Sequence, residues 1–367
     1  MMMSVILPLD LVEEILSRLP ATALKRLRST CTQWNALFKD QRFTEKHFSK
    51  APKESIVLML KEYRVFSMSL NLKIAPPSLE FKGGLGLKDS HSSLEEFDID
   101  LVVHCEGLLL CITKDDRPVV WNPCLGETRW IPPKTSYKWN STFALGYEKT
   151  NHSYKMLMFW KRHNDIPHDR VNGYQIYDFN SDSWRVLDNI VALDCFLLSS
   201  IGVSLKGNSY WLAYDTEGYD EFLLCFDFTA ESFKPMCLPL VVDQMALSVV
   251  GEKQLSVLSK SDSTLTMWVT NKIDTDIKGV LEWSKSFAVD IPTHDLWFPF
   301  FFSSLVVEEK KVALCCERIF ETGRNNFYII REGEESYTEI LYVDSTNRSR
   351  WYPFIFNYVP SLVQIQL

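Results

Sequence analysis

No two cysteines in this chain stand at C-x-x-C spacing, although nine are present, at positions 31, 105, 111, 124, 195, 225, 237, 315 and 316. The count is odd and no Cys/His array gathers round it, so neither a disulfide framework nor a zinc-bearing module is indicated. Most of these cysteines lie in apolar, strand-like runs, the pattern of buried thiols in a reducing compartment. The amino terminus has neither a basic region nor a long apolar run, so no secretory signal is visible. The most apolar window, Leu296–Val307, contains Pro299 and falls short of the ~18 residues of a membrane span. The expectation is a cytoplasmic and/or nuclear protein with no membrane partner.

Signatures of catalysis are missing too. Gly83-Gly84-Leu85-Gly86 lacks the Gly-Lys-Ser/Thr that completes a phosphate loop, and is expected to be a flexible connection. Ser204 is not set in G-x-S-x-G. His163 and His168-Asp169, in the polar loop Lys161–Asn172, fit no standard zinc spacing. Cys315-Cys316 sits in a strand-like run, where one side chain faces in and the other out; a vicinal redox pair is the sharper alternative. No metal and no cofactor is expected.

What is present is apolar and unevenly charged. An apolar content of 46% with eleven tryptophans excludes a disordered chain. Residues 1–50 carry eight Lys/Arg against five Asp/Glu, a balance of +3, which leaves −11 for the remainder of a chain whose net charge is −8. An acidic body argues against nucleic acid as a partner and favours basic or neutral protein partners.

The first fifty residues read as a helical head. Asp10 with Glu13 forms a D-x-x-E capping box that predicts a helix start, and Pro20 predicts its end. Leu11, Ile15 and Leu19 recur every four residues, with Val12 and Leu16 beside them, so the apolar face is wider than one seam. A short basic helix follows from Ala21 to about Arg28. Thr30 and Gln33 offer a second capping box, and Cys31, Trp34, Leu37 and Phe38 fall at helical spacing, Cys31 and Trp34 being expected as internal core of the head rather than direct partner contacts. The cluster Lys25-Arg26-Arg28 reads as a solvated face, with complementarity to an acidic partner surface as the alternative. Three short helices in about 40 residues seldom bury enough surface to stand alone. The head must lean on a partner or on the rest of the chain.

From Ala51-Pro52-Lys53 onward the chain reads as strands. β-rich runs flank short polar turns near Glu62, Glu106-Gly107, Thr150, Gly207-Asn208, Gly251-Glu252 and Glu309-Lys310. Hairpins recurring every 40–60 residues or so predict propeller blades. A second unit follows several of them: a strand ending in Asn or Asp, a turn, then an aromatic. It occurs at Val120-Trp121-Asn122 with Trp130, Ile176-Tyr177-Asp178 with Trp184, and Cys225-Phe226-Asp227 with Phe233. Tyr342-Val343-Asp344 with Trp351 is a looser copy. The Asn or Asp is expected to cap its turn and the aromatic to pack between blades. Six hairpins predict about six four-stranded blades closed in a ring, which removes exposed strand edges.

These residues carry a resemblance. Ile6–His47, through Leu7-Pro8, Asp10, Ile15-Leu16, Leu19-Pro20, Leu24, Arg28, Cys31, Trp34, Leu37 and Phe43, resembles an F-box, the motif that docks on the Skp-type adaptor of SCF ubiquitin ligases. Thr30 stands where that family usually has Val, and Thr32 where it often has Lys or Arg. Val119–Trp130 and Gly202–Ala213 resemble the F-box-associated domain of plant F-box proteins, without the Gly-Gly pairs of standard kelch repeats. The resemblance implies a plant protein that is mainly β, with a three-helix F-box over residues 4–50 and a kelch-like β-propeller of about six blades over 51–367.

It also implies a non-catalytic specificity subunit that links a target protein to a Skp-type adaptor and, through it, to a cullin. The expected adaptor anchors are Leu7, Pro8, Leu9, Ile15, Leu16, Leu19, Pro20 and Leu24. Loops such as Lys161–Asn172, Asp215–Glu221 and Thr270–Lys278 are candidates to hold the target. The alternatives are a scaffold whose F-box does not recruit the ligase, and a propeller enzyme with metal ligands or paired carboxylates at the ring centre.

Overall fold

The computed structural model describes residues 7–365 apart from 73–76, 90–91, 133–140, 161–172, 189, 191–194, 218–219, 240–243, 262–263, 274–280, 291–302, 308–310, 320–323, 334–337 and 343–352. A head of four helices stands on a six-bladed β-propeller.

The helices are α1 (Leu9–Leu16), α2 (Ala21–Leu27), α3 (Thr32–Leu37) and α4 (Gln41–Lys50). Two expected caps do not form. α1 starts at Leu9 after Pro8, whose extended backbone takes the capping position without a side-chain bond, so Asp10 lies inside the helix. α3 starts after Cys31, again without a side-chain cap, and the Thr30 hydroxyl donates backwards to the Leu27 carbonyl at 2.7 Å. Both prolines act as helix starters: with φ near −55 to −58° they present a backbone ready for the first turn. The fourth helix exceeds the three expected. Its cap is Asp40, whose carboxylate accepts from the Phe43 amide at 3.2 Å, and Phe43 and His47, four residues apart, are its buried face.

Each blade is an antiparallel sheet, and in blades 2 to 6 the strands follow one another in chain order. Blade 2 comprises Ile99–Cys105, Leu108–Thr113, Pro118–Asn122 and Glu127–Trp130; blade 3 comprises Ser141–Glu148, Ser153–Trp160, Gly173–Asp178 and Ser183–Val186. In blade 4, Cys195–Leu197 and Val203–Leu205 share the first position beside Asn208–Asp215, followed by Glu221–Asp227 and Ser232–Met236. Blade 5 spans Gln244–Val250 to Trp283–Asp290, and blade 6 Ser303–Val307 to Thr338–Tyr342. Blade 1 is composite. The carboxy-terminal strand Phe354–Tyr358 pairs with Ile56–Lys61, Tyr358 opposite Ile56, and closes the ring ahead of Arg64–Asn71 and Ser78–Leu85.

That closure explains a phase shift in the sequence repeat. Five of the predicted turns join the first and second strands of their blades, or fall between those strands. The turn at Glu62 joins the second and third strands of blade 1, because the first strand comes from the far end of the chain. The count of six holds even though one hairpin is out of phase.

Blades bury both faces, which is why their middle strands read as continuous apolar runs rather than alternating ones. All six residues of Leu108–Thr113 and all five of Pro118–Asn122 are buried. Six apolar clusters fill the six gaps between neighbouring blades. Cys315 belongs to the gap between blades 5 and 6 and Cys316 to that between blades 6 and 1, so both are buried on opposite sides of one strand rather than one in and one out. That placement leaves no vicinal pair.

The Asx turns form as expected. Asn122 Oδ1 accepts from the Leu125 amide, Asp178 Oδ1 from Asn180 and Ser181, and Asp227 Oδ1 from Thr229 and Ala230. Trp130, Trp184 and Phe233 pack in the gap toward the preceding blade. The copy at Tyr342–Trp351 lies largely outside the described residues. Gly83 and Gly84 are not a flexible connection: they pair with Ser67 and Phe66 in the outer strand of blade 1, where the register shifts.

Candidate functional site

The head has its own core, shared with the propeller. Leu16, Ala21, Leu24, Phe38 and Phe43 are buried with Cys124 and Leu362, and Val12, Leu19, Leu27, Trp34 and Leu37 pack around them. Cys124 sits in the turn between the third and fourth strands of blade 2, and Leu362 in the tail that follows the closing strand. The tail is tied down on both sides: Asn122 Nδ2 donates to the carbonyls of Ser361 and Val363 at 3.2 and 2.7 Å, and Gln364 Nε2 donates to the Phe38 carbonyl at 3.2 Å. Arg28 is no solvated charge. Its guanidinium donates to Asn35 Oδ1 at 2.7 Å and pairs with Glu127 of blade 2 at 3.2 Å.

The expected anchors divide accordingly. Leu24 and Leu16, at 0% and 4% exposure, are internal core and present nothing to a partner; both lie on the side of the head that meets blade 2. Leu19 and Pro20 are half-buried. Leu7, Pro8, Leu9 and Ile15 face solvent, and so does Leu11, which the anchor set omitted. Six large apolar side chains are exposed among the described residues, and four of them are Leu7, Leu9, Leu11 and Ile15. Leu11 and Ile15 stand one helical turn apart on one side of α1, while Leu7 and Leu9 mark its beginning. The double stripe in the sequence marks both sides as apolar; packing against Cys124 and Leu362 decides which of them is buried.

Charge holds α1 in place rather than covering it. Lys46 of α4 reaches Glu13 at 2.7 Å, and Glu14 collects Lys50 at 2.9 Å, Arg18 at 2.8 Å and Lys46 at 3.3 Å. The hydrogen bonds from Lys50 and then Arg18 hold the Glu14 carboxyl down at about 2. Beneath them the buried His47 ring donates from Nε2 to the Leu19 carbonyl at 2.8 Å, and burial pushes its pKa below the ordinary value.

The head occupies one face of the propeller. In an antiparallel blade, turns between strands one and two and between three and four share a face, and turns between two and three share the other. Cys124, Leu125 and Glu127, which touch the head, belong to the first kind. The candidate loop Asp215–Glu221 joins strands two and three of blade 4 and opens on the face away from the head. Thr270–Lys278, between strands three and four of blade 5, opens on the head's side, and only Thr270–Ile273 of it is described. Lys161–Asn172, with its two histidines, lies outside the described residues. Among the described residues no three His, Cys, Asp or Glu gather as metal ligands, and no helix is long and apolar enough to cross a membrane.

Comparison with known proteins agrees with this geometry. Residues 5–46 match the family described as F-box domain, and residues 56–365 the F-box associated beta propeller domain. An F-box/kelch-repeat protein of Arabidopsis thaliana is 59% identical over 368 residues, covering 98% of this chain and 96% of that protein. F-box only protein 9 of the same plant is 50% identical over 373 residues, with 98% and 96% coverage. A further F-box protein from it is 54% identical over 322 residues, with 84% and 92% coverage.

Proposed function

Because the chain belongs to the F-box proteins that carry an F-box-associated β-propeller, we propose that it is the substrate-recognition subunit of an SCF-type ubiquitin ligase. The head docks on a Skp-type adaptor and, through it, a cullin, while the propeller holds a protein target. The chain has no active site of its own. It acts by concentrating target lysines beside a ubiquitin-charged enzyme, in the cytoplasm and/or nucleus.

The observation that carries this reading is the solvent exposure of Leu7, Leu9, Leu11 and Ile15 on a head whose Leu16, Leu24, Phe38 and Phe43 are packed in its core. Each such side chain moved from water into a partner groove is worth about 1.5–3 kcal/mol. Four of them anchor a complex only after the cost of association is subtracted, so the half-buried Leu19 and Pro20 belong to the same footprint. The target belongs on the face away from the head. The turns there, at Glu62-Tyr63 and Asp215–Glu221 among others, are clear of the adaptor, and loop tips tolerate the variation that recognition requires.

Co-purification with a Skp-type adaptor tests the proposal. Leu9→Asp with Ile15→Asp is expected to abolish recovery of the adaptor while the propeller melts as before. Recovery unchanged by the double substitution would sink the proposed surface. A wild-type chain that retrieves no adaptor favours the scaffold reading instead.

A further inference from the structure

A cavity of about 420 Å³ lies between α4 and blades 2 and 3, roofed by Thr44 and Phe48 and floored by the propeller. A pocket of that size suits a small organic molecule. Its floor is apolar and aromatic: Leu108, Val120, Leu145, Tyr147, Tyr154 and Phe179. Tyr147 stacks on His152 at 4.6 Å between ring centres and meets Tyr154 edge-on at 5.6 Å.

Two carboxylates line it, with Lys39 and Lys206: Glu45 of α4, which accepts from Gln41 Nε2 at 3.0 Å at the roof, and Glu106 at the floor. Glu106, in the turn between the first two strands of blade 2, accepts from the Tyr147 hydroxyl on Oε1 at 2.7 Å and keeps its second oxygen for another donor. The fold is held tightly around the turn, since the Ser361 hydroxyl donates to the Glu106 carbonyl at 2.9 Å. Close by, the Lys53 ammonium lies 3.4 Å from the centre of the Phe48 ring. That contact shows that the aromatic faces of this junction take a cation.

We propose that the cavity binds a small organic amine, its ammonium between the second oxygen of Glu106 and the tyrosine rings, and its apolar body against Leu108, Val120 and Phe179. The electrostatics agree. Burial pushes the Glu106 carboxyl up to about 7. Lys206 and Lys53 pull it down, and Glu252 and the Tyr147 hydrogen bond also act on it, in opposite directions. Burial is what disfavours the charged carboxylate, and a direct contact with an incoming ammonium offsets it beyond what Lys206 and Lys53 supply without hydrogen-bonding to it. Because α4 forms the roof, an occupant would rest on head and propeller together.

Isothermal titration of the full chain with phenethylamine, and with phenylacetate as its acidic counterpart, tests the inference. Phenethylamine is expected to bind at least about tenfold more tightly than phenylacetate, and more tightly at pH 8 than at pH 6 as Glu106 ionises. Glu106→Gln keeps an acceptor for Tyr147 and is expected to lose about tenfold or more in amine affinity. Thr44→Trp fills the cavity from the head's side and should abolish binding, with the propeller's melting transition unmoved in both variants. Phenylacetate binding as well as the amine, no heat from the amine at millimolar concentration, or amine binding indifferent to both substitutions would each overturn it. Adaptor recovery plays no part in these measurements, so their outcome is separate from that of the ligase reading.

Discussion

Leu11 and Leu110 are the same residue type in two regions of one chain, and they meet opposite fates. Leu11, on α1, is 51% exposed; Leu110, in the second strand of blade 2, is fully buried. Every middle strand of the propeller lies between neighbours on both faces, and ring closure by Phe354–Tyr358 supplies the neighbour that blade 1 would otherwise lack. The head has four short helices and one core of its own, part of it borrowed from Cys124 and Leu362. Its second apolar side therefore stays uncovered. A propeller finishes its burial within the chain, whereas this head leaves Leu7, Leu9, Leu11 and Ile15 open to solvent.

The comparison breaks most visibly by truncating both leucines. Leu110→Ala opens a cavity in the gap between blades 2 and 3 and is expected to cost the propeller about 2–5 kcal/mol in denaturant unfolding. Leu11→Ala is expected to leave unfolding within about 0.5 kcal/mol of the parent, as exposed substitutions do, while weakening adaptor binding. Equal losses of stability in the two variants would mean that Leu11 is covered by the chain itself.

A second test targets the seam between the regions. Leu362 is 2% exposed and belongs to the head's core although it lies beyond the last strand of the propeller. Leu362→Ala is expected to weaken the head selectively. Limited proteolysis should cut sooner between α4 and the first strand, around Ala51–Ser55, while the propeller core resists as before. Uniform acceleration of cleavage across the chain would show instead that head and propeller unfold as one unit.

How much of this was legible in the sequence follows the same division. Repetition made the propeller readable: the runs flanking Glu106-Gly107 and Gly207-Asn208, and the Asx turns at Asn122, Asp178 and Asp227, are local signals that each blade repeats. The composite first blade was not legible, because the pairing of Ile56 with Tyr358 is a contact between the ends of the chain that no local pattern encodes. In the head, helix positions came from spacing, but caps did not. Pro8 and Cys31 take the cap positions through backbone conformation, which outcompetes the side chains of Asp10 and Thr30. Most of all, helical periodicity marks Leu11, Ile15, Leu16 and Leu24 as apolar without saying which side meets Cys124 and Leu362. That choice is made by tertiary packing, and so the exposed residues could be separated from the core only in three dimensions.

The smallest expected effects come from titration and are confined to the head. His47 is buried, donates to the Leu19 carbonyl, and has a pKa below its ordinary value because burial disfavours the charged ring. The unfolded chain therefore binds the extra proton more readily, so head stability is full above the unfolded value near 6.5 and declines as pH falls through it. Glu14 acts in a lower window. Its carboxyl is held at about 2 by Lys50 and Arg18, so its contribution is present above the ordinary carboxylate value near 4.5 and is lost as pH falls toward 2. The two steps are expected to separate in helical circular dichroism followed from pH 7 to pH 2. His47→Gln removes the first, and Glu14→Gln the second. Salt weakens only the second, because the Glu14 pairs are exposed and screened while the His47 bond is not. A single transition indifferent to both substitutions would place the acid sensitivity in the propeller and leave the head, despite its uncovered side, the more acid-resistant of the two regions.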